Sequence, residues 1–420
     1  MSHNWFLISD LDQSLNRAEL ETRAAQGAAV LAADGVGHGD RVAIIMRNDL
    51  TCCEIMRATA PAGAIAVQPK WHATASEVAD ILADCEANLV ILYRDLITAL
   101  RPTLNDRATI SVAPTAKLTA AYELEQGSRW DKFPEWAESR DQQQPVSSRP
   151  AMRPMMRYAS GSTGIQKGIT RIAEPNTAGS ADYYDTLRYI ALQMFGFRAS
   201  AHFMTAAPLY QSAPNTLKSM TMAMENMSVT LLARFEPVQF LETIDRQRIT
   251  HVYLVPTMMV RLLKLSDAIK ARYNLSCVEF CVSTGSPAPH PVKRAMIDWW
   301  GPVFWETYSA SEFGFMTLVS SPEALQRPGT VGRIQLGGAI KICTANGGKL
   351  PTEAIGDIFV RMPAFGQFHY TSYPKGDSWK DIDGHACVGD IGWLDIDGFL
   401  FITNRKKDMI ISGGADISPT

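Results

Sequence analysis

Long apolar runs are missing from this 420-residue sequence. No stretch approaches the roughly eighteen consecutive apolar residues of a membrane-spanning helix, so none is expected. Dense runs of lysine and arginine are missing too. With 40 basic against 43 acidic side chains the net charge is −3, and the footprint of a nucleic-acid binder is lacking. Cysteine is scarce: seven residues, at 52, 53, 85, 277, 281, 343 and 387, form an odd set without C-x-x-C spacing. That argues against a disulfide framework or a zinc site. Cys52, Cys53, Cys277 and Cys281 lie among apolar neighbours, where a free thiol behaves as a small core residue. Met1-Ser2-His3-Asn4-Trp5 lacks the basic start and apolar run of a signal peptide. A reduced cytoplasm is the expected location. Internal repeats are absent as well.

What remains is ordinary for a globular enzyme-sized chain: 46% hydrophobic and 20% charged residues, and a length sufficient for two or three domains or subdomains. Apolar side chains at Leu20, Ala24, Ala28 and Leu31 mark one helical face between Asn16 and Asp34, and Gly35 follows where a helix would stop. Val42–Met46, Ala64–Val67 and Leu89–Tyr93 are short continuous apolar runs, as in buried parallel strands. Thr74-Ala75-Ser76-Glu77 has capping-box spacing and opens a helix through Asp84. This βαβ order predicts a parallel sheet with helices on its faces. Residues 138–150 are polar and proline-broken and read as a connection. Strands are expected again at Phe203–Ala206, Val229–Leu232, His251–Val255, Val278–Val282 and Val303–Glu306, with helices between most of them. After Gly332 short strands with close turns, Ile340–Ile342, Asp357–Arg361, Trp393–Asp395 and Leu400–Thr403, suggest a small antiparallel sheet. The expected class is α/β: two doubly wound, mainly parallel sheets plus a small antiparallel β subdomain.

Chemistry concentrates in Tyr158-Ala159-Ser160-Gly161-Ser162-Thr163-Gly164-Ile165-Gln166-Lys167-Gly168. Glycines let the backbone approach a bound group, free N–H groups and hydroxyls cradle an anion, and lysine adds a point charge. The order differs from G-x-x-x-x-G-K-[ST], and an ordinary surface turn has the same composition. The segment resembles the phosphate loop of the acyl-adenylate-forming superfamily, which includes acyl-CoA synthetases, firefly-type luciferases and peptide-synthetase adenylation domains. Gln166 stands where that family usually has proline.

Further segments follow in the family's order and extend the resemblance over nearly the whole chain. Tyr308-Ser309-Ala310-Ser311-Glu312 is similar to the Y-G-x-T-E motif, with Ser309 for glycine and Ser311 for threonine. The resemblance implies Tyr308 against adenine, Ser311 near the phosphates and Glu312 holding Mg²⁺. Ser283-Thr284-Gly285-Ser286-Pro287 resembles the small-residue turn beside adenine, and Val388-Gly389-Asp390 the T-G-D segment whose aspartate accepts the ribose hydroxyls. Arg405 and Lys407 match the arginine near the ribose and the hinge. Pro208-Leu209-Tyr210-Gln211 resembles the synthetases' P-L-[YF]-H segment, with Gln211 for histidine. Tyr210 and Gln211, with Val255 and Pro256, are the expected acyl pocket. Without the family, each of these segments reads equally as a strand end, a turn or a solvated charge run.

The function implied is activation of a carboxylic acid by ATP to acyl-AMP, then transfer to coenzyme A, with Lys167, Ser311 and Glu312 as catalytic residues. The cofactors are ATP, Mg²⁺ and coenzyme A. An apolar aryl acid of hydroxycinnamate type, a fatty acid or a steroid acid is the expected substrate. The alternatives are a non-catalytic nucleotide or acyl-adenylate binding protein and an adenylating enzyme with another thiol acceptor. A homodimer is the one macromolecular assembly entertained. Residues 1–406 are expected to form the large domain, with subdomains at about 1–145, 151–330 and 331–406. Residues 407–420 are then the hinge and the start of a small C-terminal domain, roughly a hundred residues in the family, that is otherwise absent here.

Overall fold

Alternation inside the apolar run Arg41–Ile45 organises the first part of the molecule. In a strand successive side chains point to opposite faces. Val42 and Ile44 enter one core with Leu89, Ile91 and Tyr93, while Ala43 and Ile45 enter another with Val90 and Leu92. Both faces are therefore covered, as the continuous apolar pattern requires. A computed structural model of the chain describes residues 8–10, 12–104, 107–124, 133–146, 155–159, 167–172, 183–365, 367–371, 383–405, 410–412 and 415–417.

Two compact units are present. The first comprises the described residues up to Tyr189, Phe197–Glu236 and the segment from Phe368 to Thr371. Its parallel four-stranded sheet has the order Ile65–Val67, Arg41–Ile45, Leu89–Tyr93, Ala108–Val112. Helices Arg17–Ala33 and Leu50–Ala62 cover one face; Ala75–Asp84 and Arg94–Leu104 cover the other. The expected Asn16 start and the Thr74/Glu77 capping box are both present. Elsewhere in this unit His202–Thr205, Ser228–Leu231 and Ile8–Ser9 pair in parallel. Arg157–Ala159, Lys167–Ile172 and Gln367–Tyr370 make a separate three-stranded sheet.

The polar stretch expected to be a plain connection begins inside a helix, Trp136–Asp141. Glu135 caps it by accepting from the Glu138 N–H at 3.0 Å, and Arg140 reaches the buried Glu54 carboxylate at 2.8 Å. The local cap and the partner remote in sequence, Glu54, together outweigh the weak local propensity.

The second unit comprises Ile190–Gly196, Pro237–Gln367 and the described residues from 383 onward. His251–Leu254, Phe280–Ser283 and Phe304–Glu306 run in parallel. Six antiparallel strands continue the order: Thr317–Ser320, Thr330–Ile334, Phe399–Arg405, Ala386–Leu394, Gly356–Arg361 and Ala339–Cys343. Antiparallel pairing thus starts at Thr317, before the expected change after Gly332. The reason is the tight hairpin Ser309–Ala310/Gly314–Phe315, which returns the chain directly after Glu306 without a crossover helix. All seven cysteines are free, and five are buried.

Asp49 caps the helix Leu50–Ala62, accepting from the Cys52 N–H at 2.7 Å and from the Tyr93 hydroxyl. Burial outweighs these bonds and pushes its carboxyl from 3.8 up to about 7. Between these values the native state holds a proton that the unfolded chain has released. Stability from this group is therefore greatest below pH 3.8 and declines as pH rises towards 7, flattening above. A shift of this size is equivalent to about 4 kcal/mol. Asp49→Asn can still cap and cannot ionise, so its advantage over the parent protein should grow across this window in urea unfolding. Parallel stability–pH curves for the two proteins would remove Asp49 as the source.

Candidate active site

The base of the glycine-rich loop is anchored within the first unit. Residues 160–166, which include Ser160, Gly161, Ser162, Thr163 and Gly164, lie outside the described residues. The flanking strands Arg157–Ala159 and Lys167–Ile172 are antiparallel, with Ala159 opposite Lys167 and Tyr158 opposite Gly168. Asp84, the last residue of its helix, accepts from the Tyr158 hydroxyl at 2.5 Å and the Thr371 hydroxyl at 2.6 Å. The Thr371 N–H donates to the Gly168 carbonyl at 2.9 Å. A Cβ on Gly168 would come within 2.5 Å of the Thr371 hydroxyl and 2.9 Å of the Asp84 carboxylate. Glycine is required there because three side chains converge on its Cα. Burial and the Asp84 carboxylate both push the Tyr158 hydroxyl pKa upward, so Tyr158 is a proton donor to this network.

In the second unit the parallel register puts three strand ends level: Leu254 faces Ser283, and Ser283 faces Glu306. The segments that follow, Val255-Pro256, Thr284–Pro287 and Thr307–Glu312, therefore share the carboxyl edge of the sheet, where α/β proteins hold ligands. Gly285, Ser286 and Pro287 are exposed, and a Cβ on Gly285 would lie 4.0 Å from Val255 Cγ1. The Thr307 N–H donates to the Ser283 carbonyl at 3.0 Å, and the Thr284 and Ser309 hydroxyls lie 2.9 Å apart. Ser309 thus engages Thr284, an interaction that glycine could not make.

The Tyr308 hydroxyl donates to the Asp390 carboxylate, joining residues 82 positions apart. Asp390 is buried and stands opposite Arg405 across the strand pair Ala386–Leu394/Phe399–Arg405. Tyr308 is half-buried, its N–H held by the Thr317 hydroxyl at 3.2 Å. Ala310 starts the hairpin turn and Ser311 and Glu312 occupy it, all half-buried. Gly314 closes the turn at φ +73° with the Phe365 ring packed where a side chain would go. Beneath, Glu306 and Lys293 form a buried ion pair at 2.5 Å. Burial pushes Glu306 upward, and the Lys293 ammonium opposes that shift.

The acyl-pocket residues divide between the units. In the first, Tyr210 is half-buried beside His72, ring centroids 5.6 Å apart, and His72 meets Trp71 edge-on at 4.9 Å. Arg47 lies over Trp71 at 4.5 Å and pairs with Asp95 at 2.7 Å. Gln211 is exposed at the start of the helix Ser212–Ala223. In the second, Val255 precedes the helix Pro256–Leu263, whose first residue is buried.

A model of the family described as AMP-binding enzyme matches residues 2–368. The chain belongs to the AMP-binding enzyme family. A 2-succinylbenzoate–CoA ligase of Geobacillus kaustophilus is 28% identical over 417 residues, 98% of this chain and 77% of that protein. A feruloyl-CoA synthase of Amycolatopsis is 26% identical over 410 residues, 97% of this chain and 76% of the relative. Among solved structures, an amide bond synthetase McbA from Marinactinospora thermotolerans superposes with a TM-score of 0.82 at 23% identity. That match covers 98% of this chain and 78% of that one, and it shows a shared fold.

Within this AMP-binding chain the structure gathers Tyr308, Ser309, Asp390 and the backbone of Arg405 in the second unit, with Gly285 and Val255 at the same sheet edge. Lys167 begins a strand of the first unit, and Lys407 lies outside the described residues. Asp84, Thr371, His72, Trp71 and Lys293 are additions that the motifs did not reveal. Only the aromatic pair Trp71-His72 left a signal, as two rings beside a helix start. Among the described residues, no group of three or more metal-type side chains converges. Mg²⁺ typically takes only one or two protein carboxylates together with substrate phosphates. Glu312, a half-buried carboxylate in a turn, fits that demand. No helix among the described residues is long and apolar enough to cross a membrane.

Proposed function

We propose that this chain performs the adenylating step of an ATP-dependent acid–thiol ligase. A substrate carboxylate oxygen attacks the α-phosphorus of ATP, a P–O bond to pyrophosphate breaks in line, and acyl-AMP forms. The thiol of coenzyme A then attacks the acyl carbon and AMP leaves. The observation that carries the reading is the Tyr308–Asp390 hydrogen bond, with Arg405 opposite Asp390, on a chain of the AMP-binding family. A tyrosine ring and a buried carboxylate held together suit a base and its ribose.

In this reading the loop Ser160–Gly164 with Lys167 neutralises the phosphates, and Ser311 hydrogen-bonds them. Gly285, Ser286, Pro287, Ser309 and Ala310 border the adenine through their backbone. Asp390 orients the ribose, Arg405 adds positive charge, and Lys407 is the pivot of a domain rotation. Mg²⁺ held by Glu312 supplies charge neutralisation at the phosphates. Tyr210, Gln211, Val255 and Pro256 contact the acyl group, and relatives named for 2-succinylbenzoate and ferulate support an aryl acid as first choice.

Carboxylate-dependent exchange of pyrophosphate into ATP is the test. Glu312→Gln should lower that exchange by about a hundredfold or more, the scale for a group aimed at developing charge. AMP binding without magnesium should stay within a few-fold of the parent protein. Exchange unchanged by the substitution across a magnesium titration would refute the metal role, and exchange with no acid of a broad panel would refute the ligase reading.

A further inference from the structure

A cleft in the first unit lies between the helices Leu50–Ala62 and Ser212–Ala223, the strand start at Arg157 and the start of the helix Tyr183–Met194. Its empty space is about 550 Å³ with the open solvent at its mouth included. Met56, Met155 and Met222 give it adaptable apolar walls.

Two enclosed cations line this cleft without a counter-ion among the described residues. Lys218 is 3% exposed, and among the described residues the single polar contact of its ammonium is the Met56 sulfur at 3.9 Å. Arg157 donates to the Ser212 carbonyl at 3.0 Å, the Ser212 hydroxyl and the Thr216 hydroxyl at 2.8 Å, all of them neutral. Burial pushes the Arg157 guanidinium downward, with Tyr183 opposing. Three other cations of this unit do have carboxylates: Arg47 with Asp95 at 2.7 Å, Arg140 with Glu54 at 2.8 Å and Arg57 with Glu21 at 2.8 Å. Burying a charge is unfavourable unless it is paired. A cleft that gathers two unpaired cations is therefore short of an anion.

We propose that this cleft binds an organic carboxylate, its anionic group shared by Lys218 and Arg157 and its apolar body against the three methionines. The Arg157 fork is already engaged by Ser212 and Thr216, which leaves Lys218 as the main point charge. That suits one carboxylate better than a phosphate with its larger demand for donors. The site stands on the first unit alone and does not depend on the ligase reading.

Titration calorimetry on the whole chain tests it, with octanoate, octanedioate, octanamide and inorganic phosphate as probes. Both acids should bind saturably and more weakly at high salt, with octanamide and phosphate at least tenfold weaker. Lys218→Met should weaken octanoate at least tenfold, while Lys218→Arg retains most of the affinity. Lys218→Met should also unfold at an equal or higher temperature than the parent, since it removes an uncompensated buried charge. Octanamide binding as tightly as octanoate, or undiminished octanoate binding by folded Lys218→Met, would overturn the proposal. The amide comparison uses the unmodified protein and decides even if a variant does not fold.

Pyrophosphate exchange with the same two acids separates the sources of the carboxylate. A loss in Lys218→Met confined to octanedioate makes the cleft the seat of a distal carboxylate on the acid being activated. Unchanged exchange with lost binding makes its ligand a separate acid. No exchange by the parent protein with either acid counts against them as ligase substrates and leaves the binding result intact.

Discussion

Asp390→Ala is expected to weaken nucleotide binding by a hundredfold or more while leaving the second unit folded. Two ribose hydroxyls donating to one carboxylate make charge-assisted hydrogen bonds, each worth roughly 1.5–3 kcal/mol. Losing both removes about 3–5 kcal/mol, and tenfold in affinity corresponds to about 1.4 kcal/mol. The substitution also deprives the Tyr308 hydroxyl of its acceptor. Tyr308→Phe separates that contribution: it keeps the ring and loses only the hydroxyl, so its effect should stay near tenfold or below. The decisive comparison uses 2′,3′-dideoxy-ATP. The parent protein should discriminate strongly against it, and Asp390→Ala should bind both nucleotides about equally. If the variant discriminates as well as its parent does, the ribose is held elsewhere.

Lys293→Met should destabilise the second unit by about 3–5 kcal/mol, the usual result of breaking a buried ion pair from one side. Glu306 would be left 7% exposed at the end of the strand that leads into Tyr308, with its cationic partner gone. A loss of that size lowers an unfolding temperature by roughly ten degrees in a unit of this length. The double variant Lys293→Met/Glu306→Gln removes both charges and should recover most of the loss. The pH dependence has a definite sign. Burial already raises the Glu306 carboxyl above 4.5, and without Lys293 it should rise further. The native state then holds a proton that the unfolded chain has given up, so the deficit of the single variant should shrink as pH falls towards 4.5. Equal stability of the single and double variants would show that the pair carries no such coupling.

Much of this architecture is written locally. The continuous apolar runs Val42–Ile45 and Leu89–Leu92, whose side chains enter two cores in turn, dictate a sheet covered on both faces, and side-chain caps at Asn16 and Thr74 place helix starts to the residue. The strand ends near Val255, Thr284 and Thr307 were legible to within a residue, because the apolar runs stop there at a proline or at small polar residues. Local signals misled where long-range partners decided the outcome. The helix Trp136–Asp141 is held through Glu54, some eighty residues earlier, and no window around Arg140 contains that carboxylate.

The motifs pointed to the family, and membership follows from the match over residues 2–368. Side-chain identity and spacing along the chain determined that much. What only the tertiary structure decided is which distant groups meet. Tyr308 reaches Asp390 across 82 residues, Asp84 gathers Tyr158 and Thr371 under Gly168, and Lys293 lies beneath Glu306. The unpaired charges of Lys218 and Arg157 belong to the same class. A lysine or arginine in a sequence carries no record of whether an acid will lie beside it. That is settled by how helices and strands pack, because the balance between desolvation and pairing is struck only after burial.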